Sequence, residues 1–491
     1  MISFLIPEKD LPYNPNDLRS VLEYTKKLEG NTLRKLTKGN LDSAKKNKGG
    51  IGQLTEELYF FLKNNSSPEP DFVNLELELK TGGLNPTSSR DRHKNISGKW
   101  KAKEALSLSS INYNNIVQEE FFLSSFIKKN KNILLIFHKY EKLHPLDLEI
   151  KLTGIFSYES LSEVDKQIIK QDWELMKSKT LDGKAHEFSR GDFEYLELAT
   201  SGTSFSFTTQ PCSNEKVRTR KYSYKAGFMH SVIAKLGSDN LNTISLFDKP
   251  DKNKTLSDKI NDRFKPYIGK HTDLIASSIG ISVEDCKKSK QYFSIISKRL
   301  LKAIFNVPEK IEVEEYIEEF AKAEISIKAI RVNEKNLPKE HVSLPAFKYE
   351  NIIHQSWDDS EFKKHIDKKF LFIFYKESKS DFVLDKAVYW NMSSEHISEA
   401  QKVWEETKQL IEEGKIVKDI KVLKNGKKKR LTYFPGSKSN LVSHVRPHAT
   451  TIKDTYSLPV RDIYTGWNEY TKHCFWLNKE FVKNYIYSPK D

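Results

Sequence analysis

The spacing of hydrophobic and polar residues predicts helices and strands that alternate along the chain. The segment GQLTEELYFFLK places Leu54, Leu58 and Leu62 on one side of a helix, since residues three and four apart share a helix face. The segment LELELK alternates leucine with charged residues, which is the period of a strand with one buried face. Further strands are predicted at ALSLSSI, NILLIF and FEYLELAT, and a further helix over about 163–179. Together these elements predict an α/β protein.

The two halves of the chain carry similar segments in the same order. The pairs are INYNNIV (111–117) with FKYENII (347–353), ILLIF (133–137) with FLFIF (370–374), the helix around Trp173 with that around Trp404, and LELELKT (75–81) with AEISIKA (323–329). These ordered matches favour a duplication over two unrelated α/β domains, which is the alternative. The polar stretch 236–259 predicts a linker, so we expect one domain over 1–245 and a second over 255–491.

The composition indicates a class of binding partner and a cellular compartment. The formal net charge of +14 and the pI of about 9.2 favour a polyanionic partner, and a soluble basic protein of this size most often meets nucleic acid. Cys212, Cys286 and Cys474 have neither the spacing of a zinc site nor that of a disulfide framework. No apolar run reaches membrane-spanning length. We therefore expect a cytoplasmic protein that binds nucleic acid.

The strand LELELK has a charged face that suits a metal site. Glu76, Glu78 and Lys80 share that face, because strand side chains alternate. Asp71 follows a Pro-rich turn and stands seven residues before Glu78. Two carboxylates can hold a hard cation such as Mg²⁺, and a lysine beside them can orient water and stabilise charge on a phosphate. These are the requirements of phosphodiester hydrolysis.

A solvated strand face is the alternative interpretation of the same charges. The second copy helps to separate the two, because it keeps Lys328 at the position of Lys80 but has Ser326 in place of Glu78. On a solvated face that change would have no consequence. In a catalytic strand it removes a metal ligand, so the sequence predicts one active site per chain.

The run KGGIGQLTEELYF…PEPDFVNLELELKT resembles the MutH branch of the PD-(D/E)xK nucleases, which includes the two-domain Sau-type restriction endonucleases. FLSSFIKKNKNILLIF, IIKQDWELM, EYLELATSG, SHVRPH and FWLNKEF also resemble segments of that family in the same order, so the likeness spans nearly the whole chain. The resemblance implies a restriction-endonuclease-like mixed sheet flanked by helices, duplicated as two MutH-like domains.

The resemblance also implies roles for individual residues. Asp71 and Glu78 match the metal-binding acids, and Lys80 matches the catalytic lysine. Glu56 matches a further active-site acid that helps to hold a metal, and Lys129 matches a further active-site lysine. Lys48 and Gly49 match a loop that lies close to DNA. For Lys129, an ordinary lysine of a basic loop is the alternative.

Contacts to DNA are predicted in both copies. Arg218 and Arg220 stand at strand spacing among tyrosines, and a basic hairpin is predicted over 418–434, although each basic stretch is also typical of a solvated surface. Where relatives carry an Arg-Pro-Lys set that reads bases, the first copy has Ala199, Thr200 and Ser201 and the second has Arg446, Pro447 and His448. Trp476 and Lys479 match an aromatic residue and a lysine at the DNA, and for Trp476 a core position is the alternative.

These features lead to a specific functional prediction. Residues 1–245 form a Mg²⁺-dependent nuclease domain, and residues 255–491 form a DNA-binding domain without a complete catalytic set. The resemblance implies cleavage of GATC 5′ of the G, leaving 5′-phosphates. It also implies a second domain that binds another site as an allosteric effector, a homodimer on looped DNA, and a cognate DNA methyltransferase that acts on the same sequence without stable contact.

Two alternatives stay open at this point. One is a strand-nicking MutH-type repair endonuclease of the same fold, which the duplicated architecture disfavours. The other is a non-cutting DNA-binding regulatory protein, which the intact set of Asp71, Glu78 and Lys80 disfavours. One active site per chain also implies that double-strand cleavage needs two chains or two successive nicks.

Overall fold

A computed structural model describes residues 4–37, 50–63, 68–88, 98–201, 206–239, 241–247, 251, 254–378, 381–422 and 428–489. The chain divides into two compact units. Unit 1 comprises Met1–His186, Phe193–Lys259 and Phe305–Glu324, and unit 2 comprises Glu187–Asp192, Ile260–Ile304 and Ile325–Asp491. Among the described helices, none combines the length and the apolar character that crossing a bilayer requires.

The strands are β1 Leu77–Pro86, β2 Trp100–Ala102, β3 Leu106–Ser110, β4 Asn132–Lys139, β5 Ile150–Ser157, β6 Leu196–Thr200, β7 Phe207–Gln210, β8 Ser213–Arg218, β9 Arg220–Tyr224, β10 Ser326–Val332, β11 Val342–Phe347, β12 Lys369–Ser378, β13 Asp381–Asn391, β14 Val417–Val422, β15 Lys428–Thr432, β16 Ser443–Pro447, β17 Thr455–Ser457, β18 Glu469–Thr471 and β19 His473–Leu477.

The α-helices are α1 Leu18–Lys26, α2 Leu33–Leu36, α3 Ile51–Leu54, α4 Tyr113–Ile116, α5 Ser125–Asn130, α6 Glu163–Leu181, α7 Ala226–Leu236, α8 Leu256–Phe264, α9 Thr272–Ser278, α10 Glu284–Lys287, α11 Tyr292–Ile304, α12 Val313–Tyr316, α13 Glu318–Ala323, α14 Tyr349–Ile353, α15 Glu361–Ile366, α16 Ser394–Glu412 and α17 Lys479–Val482. A π-helical turn over Thr55–Tyr59 continues α3, and another over Lys483–Tyr487 continues α17.

Unit 1 contains a sheet of order β2-β1-β4-β5, in which β1 and β4 are parallel and the other pairs are antiparallel. A second sheet has the order β3-β9-β6, and β7 and β8 form a separate hairpin. Apolar residues of β1, β4 and the α3 helix, including Leu54, Leu79 and Leu134, build one core cluster. The helix α6 buries Trp173, with 1% of its surface exposed.

Unit 2 repeats this plan. Its first sheet has the order β10-β12-β13, with β10 parallel to β12 and β12 antiparallel to β13. Its second sheet has the order β11-β19-β16, which is the order of β3, β9 and β6 in unit 1. The helix α16 buries Trp404 in the core cluster of this unit, as α6 buries Trp173 in unit 1. The mixed α/β fold and its duplication therefore agree with the prediction.

The strand register shows that the two copies correspond residue by residue. Lys80 of β1 stands opposite Leu135 of β4, and Lys328 of β10 stands opposite Phe372 of β12. Leu135 and Phe372 are the middle residues of ILLIF and FLFIF, the pair of segments that the sequence matched. Lys328 is therefore the structural counterpart of Lys80.

The strand β1 begins later than the leucine pattern predicts. Residues Val73–Leu75 form a 3-10 helix, and Glu76 follows in the left-handed conformation with φ 48° before β1 starts. The prediction that Glu76 shares a strand face with Glu78 and Lys80 is therefore wrong. Its counterpart Glu324 has the same conformation, with φ 57°, before β10. A residue in the left-handed conformation, rather than a continuous strand, therefore stands shortly before β1 and β10.

The predicted linker is partly packed. Leu246 and Phe247 are buried, and Ile244 forms a bridge with Ile317 within unit 1. The carboxylate of Glu319 accepts hydrogen bonds from the Ser245 hydroxyl and the Leu246 N–H. The polar composition of this stretch indicated exposure, whereas its few apolar residues fix it to the fold.

Candidate active site

A tight backbone reversal brings Asp71 next to the catalytic strand. Phe72 and Leu77 exchange two backbone hydrogen bonds of 2.9 and 3.2 Å, which folds the segment between them into a short loop. The Oδ2 atom of Asp71 then accepts a hydrogen bond of 2.9 Å from the N–H of Leu79. Because Leu77 and Leu79 point into the core with 1% exposure each, the opposite face of β1 carries Glu78 and Lys80.

Glu78 is the centre of the site. Only 2% of its surface is exposed, and its Oε1 lies 2.5 Å from the Nζ of Lys80 and 3.7 Å from the Nζ of Lys129. Burial raises the pKa of the Glu78 carboxyl, and the charge of Lys80 opposes that rise. Its Oε2 atom is buried and has no hydrogen-bond partner among the described residues, which is unusual for a buried carboxylate oxygen.

Glu56 completes the acidic group from the adjacent helix. It lies in the π-helical turn that continues α3, and such turns often occur at functional sites. Gly52 permits close approach of α3 to β1, since a Cβ atom there would lie 3.1 Å from the Oγ1 of Thr81. Burial, followed by the negative charge of Asp71, raises the pKa of the Glu56 carboxyl to about 7. The Glu56 carboxyl is therefore close enough to the other acids for their charges to raise its pKa.

The donor set fits a hard divalent cation. Carboxylate oxygens are the ligands that Mg²⁺ prefers, and the buried Oε2 of Glu78 lacks a partner that a cation would provide. Within the described part of the chain, no three acidic, histidine or cysteine side chains already converge as a metal site. Like charges repel at short range, and Lys80 neutralises Glu78 in this arrangement. Asp71, Glu78 and Glu56 are the residues that would hold the ion.

Lys129 reaches the site from a separate helix. Ser124 caps α5 by accepting a hydrogen bond from the Ile127 N–H, which fixes the start of the helix. Lys129 lies near the other end of α5, and its side chain is only 17% exposed beside Glu78. This burial distinguishes it from the neighbouring Lys128, which pairs with Glu69 at the surface. Glu78, Lys80 and Lys129 are thus in contact, while Glu56 and Asp71 lie close enough for charges of this group to act on the Glu56 carboxyl.

The predicted DNA contacts of unit 1 are arranged differently from expectation. Arg218 ends β8 and Arg220 begins β9, so the two arginines belong to different sheets rather than to one strand. Tyr222 and Tyr224 are both 1% exposed and belong to the core. The prediction that Arg218 and Arg220 stand on one strand among tyrosines is therefore wrong, whereas their contact with DNA stays a prediction. Lys48 and Gly49 lie outside the described residues.

Comparison with known proteins decides the family. A sequence model described as DNA mismatch repair enzyme MutH matches residues 60–172 and 314–406, one segment from each copy. The type II restriction enzyme Sau3AI of Staphylococcus aureus is 30% identical over 501 aligned positions, which cover 95% of this chain and 98% of that enzyme. The chain belongs to the MutH-like restriction endonucleases. Membership of this family confirms the prediction of a site-specific deoxyribonuclease with a restriction-endonuclease-like fold.

The second copy of this MutH-like endonuclease has lost its carboxylate on the strand. Ser326 stands opposite Phe370, which is the register position of Glu78 opposite Ile133 in the first copy. Glu319 precedes Ser326 by the same seven residues that separate Asp71 from Glu78, but both of its oxygens accept hydrogen bonds from the segment 245–246. The sequence alone did not indicate this structural use of a matching acid.

The position of Lys129 has also changed in the second copy. Ser360 caps α15 by the same hydrogen bond that Ser124 makes in α5. The fifth residue after Ser360 is His365, and the fifth residue after Ser124 is Lys129. Burial lowers the pKa of His365 to about 4, and the positive charges of Lys368 and Lys328 contribute. A neutral imidazole therefore replaces an ammonium near the retained lysine of β10.

In unit 2 of this MutH-like endonuclease, the predicted base-reading residues lie in one cluster. Arg446 is exposed on β16, and its guanidinium lies 5.2 Å from the ring centroid of Trp476. The rings of His448 and Trp476 are 5.7 Å apart. Trp476 is only partly buried, which argues against a purely core position. Lys479 begins α17, and its N–H donates a 3.0 Å hydrogen bond to His341 Nδ1.

The basic hairpin of unit 2 is confirmed in its strands. β14 and β15 pair antiparallel, with Val417 opposite Thr432 and Ile420 opposite Arg430. The guanidinium of Arg430 lies 4.4 Å from the ring centroid of Trp467, so this arginine packs against the fold. Residues 423–427 of the predicted hairpin lie outside the described residues.

Proposed function

We propose that this chain is a type II restriction endonuclease that hydrolyses both strands of DNA with a divalent cation, Mg²⁺, held by Asp71, Glu78 and Glu56. The observation that carries the proposal is the buried carboxylate of Glu78, whose Oε1 lies near the ammonium groups of two lysines, Lys80 and Lys129, and whose Oε2 has no hydrogen-bond partner among the described residues. Such a combination of acids and lysines suits the hydrolysis of a phosphodiester.

Each residue of the candidate active site has a separate role in the proposed mechanism. When bound, the cation would neutralise charge on the scissile phosphate and help to ionise the attacking water. Lys80, whose Nζ is 2.5 Å from Glu78, orients that water and stabilises the negative charge that develops on the phosphate. Lys129 lies farther from Glu78, at 3.7 Å, and binds a phosphate oxygen on the DNA backbone. Asp71 is held in place by the Leu79 N–H.

The protonation of Glu56 links metal binding to pH. Its pKa of about 7 means that the carboxyl holds a proton in weakly acidic solution. A cation must displace this proton before Glu56 can act as a ligand. Metal affinity therefore increases as the pH rises through 7, in addition to any effect of the other acids.

The second copy is proposed as the effector domain of the enzyme. It has the strand, the lysine and the DNA-facing cluster of Arg446, Trp476 and Lys479 but lacks the carboxylate of Glu78. An arginine suits the O6 and N7 atoms of guanine in the major groove. We propose residues 1–245 as the catalytic domain and residues 255–491 as the effector domain, which binds a second site and favours a homodimer on looped DNA.

The proposed target is GATC, cut 5′ of the G to leave 5′-phosphates. This assignment rests on the resemblance of the sequence segments to the two-domain Sau-type restriction endonucleases. A cognate methyltransferase would protect the same sequence in the host cell. With one complete active site per chain, cleavage of both strands requires two chains or two successive nicks.

Digestion of phage DNA tests this function directly. Purified protein is incubated with Mg²⁺ and either methylated or unmethylated DNA, and the ends are sequenced. The expected result is double-strand cleavage at one short sequence with 5′-phosphate ends. A supercoiled plasmid that stops at the open-circle form would support the strand-nicking alternative, and DNA binding without any Mg²⁺-dependent cleavage would support a non-cutting regulator.

A further inference from the structure

Unit 2 contains a cavity with a strongly basic lining beside its counterpart of the catalytic strand. The cavity has a volume of about 470 Å³ and is bordered by β10, the segment 339–343 and the first turn of α11. Its charged lining consists of Lys290, Lys328, Arg331 and Lys339 against one acid, Glu340. The residues that line the cavity thus include four basic residues and one acid, together with His341.

Two of these cations are held in position by neighbouring side chains. The guanidinium of Arg331 pairs with Glu340 and lies 5.2 Å from the ring centroid of Phe293. Lys339 forms a 2.7 Å ion pair with Glu377 at the rim. Such pairs orient a cation without removing its ability to bind a further anion, because each has several N–H donors. The lining is therefore partly preorganised.

The comparison of the two copies shows what has changed around this strand. Lys328 keeps the register of Lys80, and Arg331 stands three residues after it, where unit 1 has Gly83. The carboxylate of Glu78 is replaced by Ser326, and the sequence of α11, Tyr292–Ile304, contains no acid. The sign of the charge beside the strand is thus reversed between the copies. A cation site requires acids, whereas this lining suits an anion.

The cavity is also connected to the proposed base-reading cluster. His341 lines the cavity and accepts the hydrogen bond from the N–H of Lys479. Its ring lies 4.5 Å from that of His444, a neighbour of Arg446 on β16. A DNA duplex read by Arg446 would therefore pass close to the cavity. DNA carries one negative charge per phosphate, which is the complementary charge.

We propose that this cavity binds a backbone phosphate of the effector DNA directly, with Lys290, Lys328 and Arg331 as the ligands and without a metal ion. The inference rests on the proposed effector role of unit 2 and adds the chemical basis of its binding. Lysine and arginine donate to phosphate oxygens as charge-assisted hydrogen bonds. Lys328 is thereby retained for phosphate binding after the loss of hydrolysis.

Trans-activation of the full-length enzyme tests the inference. The substrate is a plasmid with one recognition site, and the activator is a short duplex with the same site whose scissile linkages are phosphorothioates. Lys290→Gln and Lys328→Gln are compared with the matched control Lys288→Gln, an exposed lysine of the same segment that does not line the cavity. Thermal unfolding of each variant verifies that it is folded.

Both cavity variants should need a higher concentration of the duplex for half-maximal activation, with the maximal rate unchanged, and the control should resemble the natural protein. The dependence of duplex binding on salt should fall by about 1 in the slope of log K against log [salt] for each lost phosphate contact. This second measurement uses fluorescence anisotropy in the presence of Ca²⁺ in place of Mg²⁺.

The outcomes separate the two proposals. If the natural protein is not activated by the duplex, the effector role is wrong, and the salt slopes alone decide whether the cavity contacts DNA. If activation occurs but both cavity variants match Lys288→Gln in half-activation and in salt slope, the cavity does not bind a phosphate and the effector role stands.

Discussion

Lys221 of β9 lies directly opposite Ala199 of β6, whereas in the second copy the corresponding pair is Cys474 opposite Arg446. Residues paired across an antiparallel sheet point to the same face. Each copy therefore has one long cation and one small side chain at the same place, but on exchanged strands. The basic residue that β6 lacks is present on the neighbouring strand.

From this exchange we predict that Lys221 contacts a DNA base in unit 1, as we propose for Arg446 in unit 2. Lys221→Ala should slow cleavage at the recognition sequence about tenfold or more, since a good base contact is worth about 1–3 kcal/mol. Single-turnover cleavage of a cognate and a one-base-altered duplex measures the effect. Lys216→Ala, an exposed lysine of β8, is the control. Equal loss on both duplexes would indicate a backbone contact instead of base reading.

Arg446→Ala should give a different pattern, because its cluster belongs to the proposed effector unit. We expect weaker binding of specific DNA and slower cleavage of plasmids with two sites, while the dependence of the rate on Mg²⁺ concentration is unchanged. Arg446→Lys keeps the charge but not the paired donors that suit guanine, so it should recover only part of the activity. A shifted Mg²⁺ dependence in Arg446→Ala would contradict the assignment to the effector unit.

Removal of the lysine at the catalytic strand should separate binding from chemistry. Lys80→Met should reduce the rate of hydrolysis by about a thousandfold or more, as expected for loss of a group that stabilises transition-state charge. DNA binding in Ca²⁺ should remain within about threefold, because other cations supply most of the phosphate contacts. Lys128→Met, on α5 and paired at the surface with Glu69, is the matched control. Full activity of Lys80→Met would overturn the site assignment.

Glu56 should make the metal-free protein less stable as the pH rises. Burial raises its pKa to about 7 from an ordinary 4.5, so the folded state keeps a proton that the unfolded chain has already released. The free energy of unfolding then falls between pH 4.5 and 7. Well above pH 7 the full difference is about 3 kcal/mol.

Glu56→Gln removes this penalty, so in EDTA it should be more stable than the natural protein at pH 8 and nearly equal to it at pH 4. Urea unfolding at the two pH values measures the difference. Addition of Mg²⁺ should stabilise the natural protein and leave Glu56→Gln less affected, because the cation binds the folded state. A stability difference that does not change with pH would show that Glu56 is not buried as an acid.

A buried ion pair holds the helix α13 within unit 1. Lys322 lies 2.6 Å from Asp165 Oδ1 and 2.6 Å from Glu318 Oε1, and both Lys322 and Asp165 are less than a tenth exposed. Lys322→Met leaves Asp165 buried without its cation and should destabilise the protein by about 3–5 kcal/mol. The double variant Lys322→Met/Asp165→Leu should recover most of this loss in chemical denaturation. Equal destabilisation of both variants would contradict the pairing.

Local patterns were sufficient to predict the repeated architecture. The alternation of LELELK and the apolar runs ILLIF and FLFIF predicted strands, and the register of Lys80 and Lys328 agrees with the alignment of those segments. The interpretation was wrong where the backbone reverses or breaks, at Glu76 and between Arg218 and Arg220. A period of two residues describes side-chain alternation but does not indicate where a strand begins.

Other parts of the site depend on pairing between distant segments. The cation opposite Ala199 comes from β9, and only the antiparallel register makes Lys221 its neighbour. Glu319 has the spacing of a catalytic acid, but its oxygens bind the segment 245–246. No local pattern distinguishes an acid that faces a substrate from one that holds a loop, since the difference lies in what the fold places beside it.

The second copy lacks a counterpart of the Glu78 carboxylate, which affects how long DNA can stay bound as well as whether it is cut. A unit that cuts must release its severed ends before it can act again, which limits how tightly it can hold them. A unit that cannot cut leaves its DNA intact and is free of this limit. On our proposal the second copy can therefore keep one duplex for many turnovers of the first, so that a single polypeptide combines a long residence time at one site with rapid exchange at another.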